Sequence, residues 1–174
     1  MTPRISIRGE DAADAATIHD IVTAAFRSAP HASGTEAQIV RALRDEDALT
    51  LSLVASDAGN IVGHLAASPV RIGNAPSGWL GIGPVSVTPA WQGEGIGSAL
   101  ILSALSQLRG AGHDGCVVLG DPVYYRRFGF RRNARLLYPG PPPECFLCLP
   151  FGGSVPSGVV SYHPAFGAEP PRQD

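Results

Sequence analysis

VSVTPAWQGEGIGSALI, residues 85 to 101, joins a strand-like half to a helix-like half. The first half alternates apolar and polar residues, and the second half has the apolar spacing of a helix start. Gly93, Gly95 and Gly97 lie between the two halves. A strand that passes through a glycine-rich turn into a helix leaves backbone N–H groups free to bind an anion, and the helix dipole favours negative charge there. The stretch therefore predicts an anion-binding turn.

The composition indicates an ordinary globular chain. Of its 174 residues, 44% are hydrophobic, and the mean hydropathy is +0.09. Apolar runs stay well short of the ~18 residues that span a bilayer, and the N-terminus lacks the apolar core of a signal peptide. We therefore expect a cytoplasmic protein. A net charge of −2 without a basic run argues against nucleic acid or an anionic membrane as a partner.

Two better-known phosphate-binding loops do not fit the glycine turn. All basic residues of the chain are arginines, so the lysine that a P-loop requires is missing. The dinucleotide fingerprint G-x-G-x-x-G also fails, because Ser98 stands where the third glycine belongs. A purely structural turn and a cradle for the pyrophosphate of an acyl-coenzyme A remain open.

Three cysteines, too few for a disulfide framework, include a C-x-x-C pair. Cys145 and Cys148 fall in a predicted strand over residues 144–149, where side chains three positions apart point to opposite faces. We therefore interpret the cysteines as core residues rather than as a metal or redox site.

Apolar periodicity predicts the order β-α-α-β-β-β-α-β-α-β, an α/β chain with a mixed sheet. The strand predicted over residues 79–87 contains Gly83-Pro84, and because proline cannot donate to a ladder we expect the strand to bulge or to lie unpaired on one side there. Asp11 and Thr35 are the expected caps of the first two helices. The predicted helices cover 11–26, 35–44, 96–110 and 122–128. The six predicted strands cover 4–8, 49–56, 60–69, 79–87, 116–119 and 144–149, and residues 157–162 could add a last one.

Two segments carry a resemblance to a known family. The pattern Val87-x-Pro89-x-x-Gln92-x-x-Gly95-Ile96-Gly97-x-x-Leu100 resembles the acyl-coenzyme A loop of the GNAT N-acetyltransferases, whose core is Q/R-x-x-G-x-G/A. About 30 residues further on, residues 124–130 (YYRRFGF) resemble the F-Y-x-x-x-G-F block of the same family. The segments GHLAASPV, LGDPVYYRRFGF and SYHPAF are similar to the bacterial YhbS-like branch of predicted acetyltransferases.

The resemblance implies the GNAT fold, an α/β architecture whose mixed, mostly antiparallel sheet has splayed central strands and is flanked by helices. It implies a single N-acyltransferase domain over residues 1–168, followed by a polar tail at 169–174. The implied enzyme moves an acetyl group from acetyl-coenzyme A (acetyl-CoA) to a primary amine of a small molecule or peptide, by direct attack in a ternary complex and without a metal. A homodimer and a non-catalytic acyl-CoA-binding or regulatory module stay open.

The resemblance also assigns candidate binding residues. Pantetheine would bind the backbone of the strand ending at Val87, and backbone amides would hold the pyrophosphate. The Glu94 carboxylate is expected in solvent, because inside the cradle it would repel phosphate. Arg126 and Arg127 either reach the 3′-phosphate or are surface charges. The predicted cofactor-binding residues are Val85, Ser86, Val87, Gln92, Gly93, Glu94, Gly95, Ile96, Gly97, Ser98, Tyr125 and Arg127.

Three residues are candidates for proton transfer. Tyr125 occupies the position of the family's tyrosine acid, although it could simply pack its short helix. The bulged strand has no acidic residue between Trp79 and Thr88. The base would then act through water, with Glu36 or His64 as candidates; a solvated helix face and a satisfied core histidine are the structural alternatives.

Overall fold

The computed structural model describes residues 4–27, 29–30 and 32–167, so the predicted tail at 169–174 lies outside the described residues. These residues form four α-helices, eight strands and short 3-10 turns, joined by loops. The helices are α1 Ala15–Phe26, α2 Glu36–Asp45, α3 Ile96–Gly110 and α4 Pro122–Arg126. The strands are β1 Ile5–Gly9, β2 Leu51–Asp57, β3 Asn60–Ile72, β4 Ala75–Val87, β5 Gly115–Leu119, β6 Leu136–Leu137, β7 Phe146–Pro150 and β8 Gly158–Ser161.

The strands form one mixed sheet in the order β1-β2-β3-β4-β5-β7. Neighbours along this order are antiparallel except β4 and β5, which are parallel. β8 pairs with the far end of β3, and β6 runs parallel to β8. The predicted mixed, mostly antiparallel sheet is thereby confirmed.

The two central strands separate halfway along their length. β4 pairs with β5 only through Trp79, Leu80 and Gly81, and its second half has no strand partner on that side among the described residues. On the other side, the register with β3 shifts between Leu65 and Ala67, opposite Gly83-Pro84. The predicted bulge is therefore present, and the Gly83–Pro84 peptide bond is cis. The separation opens a gap between these two central strands, beyond Gly81 of β4.

Helices cover both faces of the sheet. Leu100, Ala104 and Leu108 of α3 are buried against the face that carries Leu53, Leu65 and Leu80. We call this the α3 face. α1 contacts β3 and β4 on the opposite face, where α1 and α2 bury a second cluster around Val54. We call that the α1 face. The gap between β4 and β5 is thus accessible between two packed layers.

The start of the chain differs from the prediction in two details. A 3-10 turn, Ala12–Asp14, precedes α1, and the Asp14 carboxylate accepts a hydrogen bond from the Asp11 N–H at 2.7 Å. Thr35 holds the N-cap position of α2, but its side chain makes no capping bond. Instead, Glu36 reaches back to the Ser33 N–H at 2.7 Å. This bond ties the preceding loop to the start of α2, but it does not replace the capping bond to the first N–H groups of the helix.

The C-x-x-C segment also folds differently from the prediction. Pro143–Cys145 is a 3-10 turn, and strand β7 begins only at Phe146. Cys145 therefore lies in a turn, while Cys148 is buried in β7. Burial raises the pKa of the Cys148 thiol above its usual range, as it does for Cys116. The described residues contain no group of three His, Cys, Asp or Glu side chains able to hold a metal ion.

A short segment after β8 packs back onto α2. His163 accepts a hydrogen bond from the Ala165 N–H at its Nδ1 and lies 3.1 Å from a Glu46 carboxylate oxygen at its Nε2. Ala165 is buried with Ile39 and Leu43 of α2. His163 thus anchors this segment. Within residues 4–27, 29–30 and 32–167, every helix is too short or too polar to cross a membrane.

Candidate active site

The glycine turn between β4 and α3 presents a row of unused donors. Gly93 and Gly95 have φ angles of 82° and 81°, a left-handed conformation that favours glycine. None of the six backbone N–H groups from residue 93 to residue 98 has an acceptor among the described residues. Ile96, Gly97 and Ser98 begin α3, so their N–H groups also lie at the positive end of the helix dipole. The turn is built to receive a negatively charged group.

The unpaired half of β4 turns its backbone toward the same place. Thr88 donates its N–H to the Val62 carbonyl of β3 at 2.9 Å. Because hydrogen-bonding residues alternate along an antiparallel pair, the polar backbone groups of Val85 and Val87 point away from β3, into the gap. A ligand strand laid in the gap would find donors and acceptors there.

A cleft of about 350 Å³ joins these two features. The Gln92 side chain donates to the Val87 carbonyl at 2.9 Å and so braces the turn against the end of β4. A Cβ atom on Gly97 would approach the Tyr124 hydroxyl to 3.2 Å, so this side of the cleft has no spare room. The cleft is lined by Val87, Trp91, Gln92, Gly93, Gly95, Ile96, Gly97, Ser98, Tyr124 and Arg127.

Arg127 is the cation at the mouth of the cleft. Its guanidinium lies 4.5 Å from the centre of the Tyr124 ring, a cation–π contact that holds an exposed side chain in place. One guanidinium nitrogen is 3.4 Å from the Ser98 hydroxyl at the start of α3. Arg126 is exposed and does not line the cleft. Of the two arginines left open by the sequence, the geometry favours Arg127 as the ligand-facing one.

Tyr125 lies deeper, against the core. Its ring packs edge-on against Tyr124 and Phe130, with centroids 5.1 and 5.8 Å apart, and lies over Gly120. Burial is the main reason that the pKa of Tyr125 rises to about 12, and the neighbouring Tyr124 adds to it. The phenol therefore keeps its proton at neutral pH, as a general acid must.

His64 lies outside the cleft, on the α1 face. Its Nε2 is 2.8 Å from the Ser52 hydroxyl, and that hydroxyl donates to the Glu10 carboxylate at 2.6 Å. The imidazole is 0% exposed, and burial lowers the pKa of His64 to about 4. The neutral ring is therefore the resting form.

Glu36 lies at the start of α2, beside a separate cavity of about 520 Å³ under the α1–α2 loop. Its carboxylate accepts hydrogen bonds from the N–H and hydroxyl of Ser33, at 2.7 and 3.1 Å. These bonds give Glu36 a local role in shaping the loop. Its assignment as a base stays a prediction.

The structure brings most of the predicted binding residues together. Four predicted residues are not part of the cleft lining. Glu94 is exposed, as expected, and the buried side chain of Ser86 lies on the α1 face. Val85 and Tyr125 are the other two, and Tyr125 lies deeper, against the core. Sequence reasoning did not assign Trp91 or Tyr124 to the cleft. Nothing in the sequence shows that the Tyr124 hydroxyl would lie 3.4 Å from the Ser98 hydroxyl.

Known proteins resemble this chain over nearly all its length. The model of the acetyltransferase (GNAT) domain family matches residues 49–132. The uncharacterised N-acetyltransferase YhbS of Escherichia coli K12 is 36% identical over 168 residues, 92% of this chain and 97% of that protein. The crystal structure of YhbS from Escherichia coli in complex with CoA has a TM-score of 0.88 at 31% identity, over 97% of this chain and 94% of that one.

A second solved structure is more similar in sequence. A GNAT family acetyltransferase from Brucella melitensis, in complex with acetyl-CoA, is 53% identical, with a TM-score of 0.84 over 94% of this chain and 98% of that one. The chain described here belongs to the GNAT acetyltransferase family. The resemblance inferred from the glycine turn and the tyrosine segment is thereby confirmed, as is the GNAT fold.

Proposed function

We propose that the protein is an N-acetyltransferase that transfers an acetyl group from acetyl-CoA to a primary amine, by direct attack within a ternary complex. The observation that carries the proposal is the row of six unpaired N–H groups from residue 93 to residue 98, set beside the unpaired half of β4. The expected cytoplasmic location is part of the same proposal.

The residues of the cleft suit acetyl-CoA in three places. The N–H groups of the glycine turn would hold the pyrophosphate, as helix N-termini commonly hold phosphate. The backbone groups of Val85 and Val87, which face the gap, would hold pantetheine as an added strand. Arg127 would meet the 3′-phosphate, and the relatives described with CoA and acetyl-CoA support this choice of cosubstrate.

Acetyl-CoA supplies a thioester, whose carbonyl carbon a neutral amine attacks. A backbone N–H near Val85 would donate to the carbonyl oxygen and stabilise the charge that develops there. Tyr125 would then give its phenolic proton to the departing thiolate. The phenol carries that proton at neutral pH, since its pKa is about 12.

The acceptor would enter from the α1 face. The cavity under the α1–α2 loop lies on that face and mixes apolar residues such as Val22 and Phe26 with polar ones such as Ser33 and Glu36. A cavity of about 520 Å³ admits a small amine or the end of a peptide.

Two measurements test the proposal. Saturating acetyl-CoA should raise the melting temperature, since a ligand that binds only the folded state stabilises it by mass action. A panel of amines should then be screened for release of free thiol. Stabilisation without turnover by any amine would favour a non-catalytic acyl-CoA-binding module, and no stabilisation would contradict both functions.

Tyr125→Phe tests the acid directly. We expect the variant to bind acetyl-CoA like the parent while turnover falls roughly 10²-fold or more, the usual contribution of a positioned acid. Tyr138→Phe is the matched control, because Tyr138 packs with Phe146 and Tyr162 away from the cleft. Parental turnover by Tyr125→Phe would refute the assignment.

A further inference from the structure

Buried polar atoms without partners collect away from the cleft. Four side-chain atoms are buried and have no hydrogen-bond partner among the described residues: His64 Nδ1, Ser68 Oγ, Ser86 Oγ and Tyr162 Oη. Such atoms are uncommon, because an unpaired buried polar group costs about 1–3 kcal/mol. Two of them are neighbours, since His64 of β3 lies directly opposite Ser86 of β4 in the sheet register.

The hydrogen bonds of His64 determine its tautomer. The Ser52 hydroxyl has one proton, and it donates that proton to the Glu10 carboxylate at 2.6 Å. At its 2.8 Å contact with His64 Nε2, Ser52 must therefore accept, so Nε2 carries the ring proton. The Nδ1 of His64 is left with a bare lone pair, buried and unpaired. A lone pair of this kind is a proton acceptor that the resting protein does not use.

Four side chains line up across the sheet, and we call them the polar row. The polar row consists of Ser86 on β4, His64 on β3, Ser52 on β2 and Glu10 just after β1. At its outer end, Arg44 of α2 binds the Glu10 carboxylate through two nitrogens, at 2.8 and 3.0 Å. The Glu10 side chain is 16% exposed, whereas Ser86 is 1% exposed. The row thus runs from the unpaired half of β4 to the edge of the solvent.

The surroundings keep the imidazole neutral between turnovers. Burial is the largest influence on the pKa of His64 and lowers it; the Glu10 carboxylate opposes this, and Arg44 lowers it further. α1 packs Ile18 and Val22 against Val54, which lies directly opposite His64 in the sheet register. The titratable residues of α1, His19 and Asp20, are exposed. The lone pair of Nδ1 is therefore free across the physiological pH range.

We propose that the polar row is a proton relay that carries the proton lost by the acceptor amine to the Glu10 carboxylate. The inference rests on the proposed acetyltransferase function. The amine proton passes to the Ser86 hydroxyl, directly or through one water. The Ser86 proton moves to Nδ1 of His64 through one bridging water, because Ser86 Oγ and His64 Nδ1 do not hydrogen-bond to each other directly. In the second half, Nε2 gives its proton to Ser52, which passes its own to Glu10.

The steps balance. Each intermediate group gains one proton and loses one, and Glu10 holds one additional proton, which it can lose to solvent. His64 ends as its other tautomer, and it returns to the Nε2–H form by exchanging its protons with water before the next turnover. The relay would replace an acidic base on β4, because no acidic residue lies between Trp79 and Thr88. It gives the histidine a role at a distance from the cleft, with Ser86 as the point of entry.

Nuclear magnetic resonance of the resting protein tests the tautomer without any substrate. With nitrogen-15 in the imidazole rings, His64 should show a bare Nδ1 and a protonated Nε2 near pH 7. Ser52→Ala should perturb the Nε2 signal, and Ser52→Thr, which keeps the hydroxyl, should restore it. A proton on Nδ1 of the parent would overturn the proposal, because the relay would then have no acceptor facing Ser86.

Kinetics test the transfer. Ser86→Ala should lower kcat/KM at neutral pH by roughly tenfold or more, within the range for assisted proton transfer, and the loss should shrink as pH rises above the pKa of the amine. Ser68→Ala is the matched control: Ser68 is 0% exposed, unpartnered and on the same face of β3 as His64, but outside the polar row. We expect kcat/KM of the control to stay within about twofold of the parent, a loss far smaller than the range for assisted proton transfer.

The outcomes separate the relay from the function. If the parent is active and Ser86→Ala and Ser68→Ala have equal pH profiles, the polar row has only a structural role and the relay is refuted. The acetyltransferase proposal would still hold. If the parent binds acetyl-CoA but acetylates no amine, the proposed acetyltransferase function is itself contradicted. Both serine variants should keep the parental shift in melting temperature with acetyl-CoA, since only side chains outside the cleft lining change.

Discussion

The ring of Tyr162 lies directly against Gly81, so that a Cβ atom built on Gly81 would come within 2.5 Å of a ring carbon of Tyr162. Gly81 is the last residue of β4 that pairs with β5, and Tyr162 follows β8. The contact thus joins the point where the central strands separate to the segment that covers the sheet there. Burial raises the pKa of Tyr162 strongly, so its hydroxyl stays neutral.

Gly81→Ala should therefore destabilise the fold by about 1–3 kcal/mol, the usual cost of overpacking a core. Chemical denaturation measures the change. Gly110→Ala is the control, because a Cβ at Gly110 meets nothing within 4 Å and the backbone there needs no positive φ. Equal stability of the two variants would mean that the Tyr162 ring moves aside freely.

Gly95→Ala should weaken acetyl-CoA binding about tenfold, because the left-handed turn that presents the N–H groups is strained by a side chain. Isothermal titration calorimetry measures the affinity. Gly112→Ala is a close control: its φ of +84° matches the +81° of Gly95, both sites are sterically open, and Gly112 lies past the other end of α3. Both variants should lose similar stability, and a similar loss of affinity in both would argue against the glycine turn as the binding site.

Arg127→Ala should weaken binding of CoA about fivefold while leaving 3′-dephospho-CoA almost unaffected, since a surface charge contact is worth roughly 1 kcal/mol. Arg126→Ala, one residue away and outside the cleft lining, should bind both compounds like the parent. The effect on CoA should fade at high salt. If Arg127→Ala weakens both compounds equally, the guanidinium supports the Tyr124 ring and does not meet the 3′-phosphate.

His64 should make the protein sensitive to acid. Its pKa in the folded state, about 4, is below its ordinary value of 6.5, so the unfolded chain binds a proton more readily. Stability is complete above pH 6.5 and falls as pH drops toward 4, by up to about 3 kcal/mol from this group. Glu10, whose pKa is also lowered in the folded state, acts in the same direction.

Denaturation at pH 7 and pH 4.5 measures this effect. His64→Gln should lose less stability than the parent between the two values, whereas His19→Gln, at an exposed position of α1, should lose as much as the parent. A parental loss for His64→Gln would show that other groups cause the acid sensitivity.

Local sequence patterns predicted the parts of the site that depend on backbone alone. The glycine spacing of residues 93–97 predicted the turn, because glycine permits a positive φ. The proline at position 84 predicted the bulge, because proline has no N–H to donate to the ladder. The sequence could not predict the polar row. Ser52 and His64 lie on two neighbouring strands and Glu10 lies just after a third, and only the register of those strands brings them together.

The same limit explains the wrong boundaries. Cys145 alternates correctly with its neighbours for a strand, yet Pro142 and Pro143 start a 3-10 turn that ends there. Tyr124 has the spacing of a core residue and does pack against the core, but α4 also turns its hydroxyl toward Ser98. Side-chain direction within a helix of five residues depends on its tertiary contacts, which no local pattern contains.

β8 gives the fold a late step in its assembly. It pairs with β3 across a sequence separation of ~90 residues, and such distant pairings slow folding because a long loop must close first. Until β8 docks, the apolar surface around Val70 and Trp79 stays open to other chains. Because synthesis runs from the N-terminus, α1 to β7 leave the ribosome before the strand whose Val160 covers that surface.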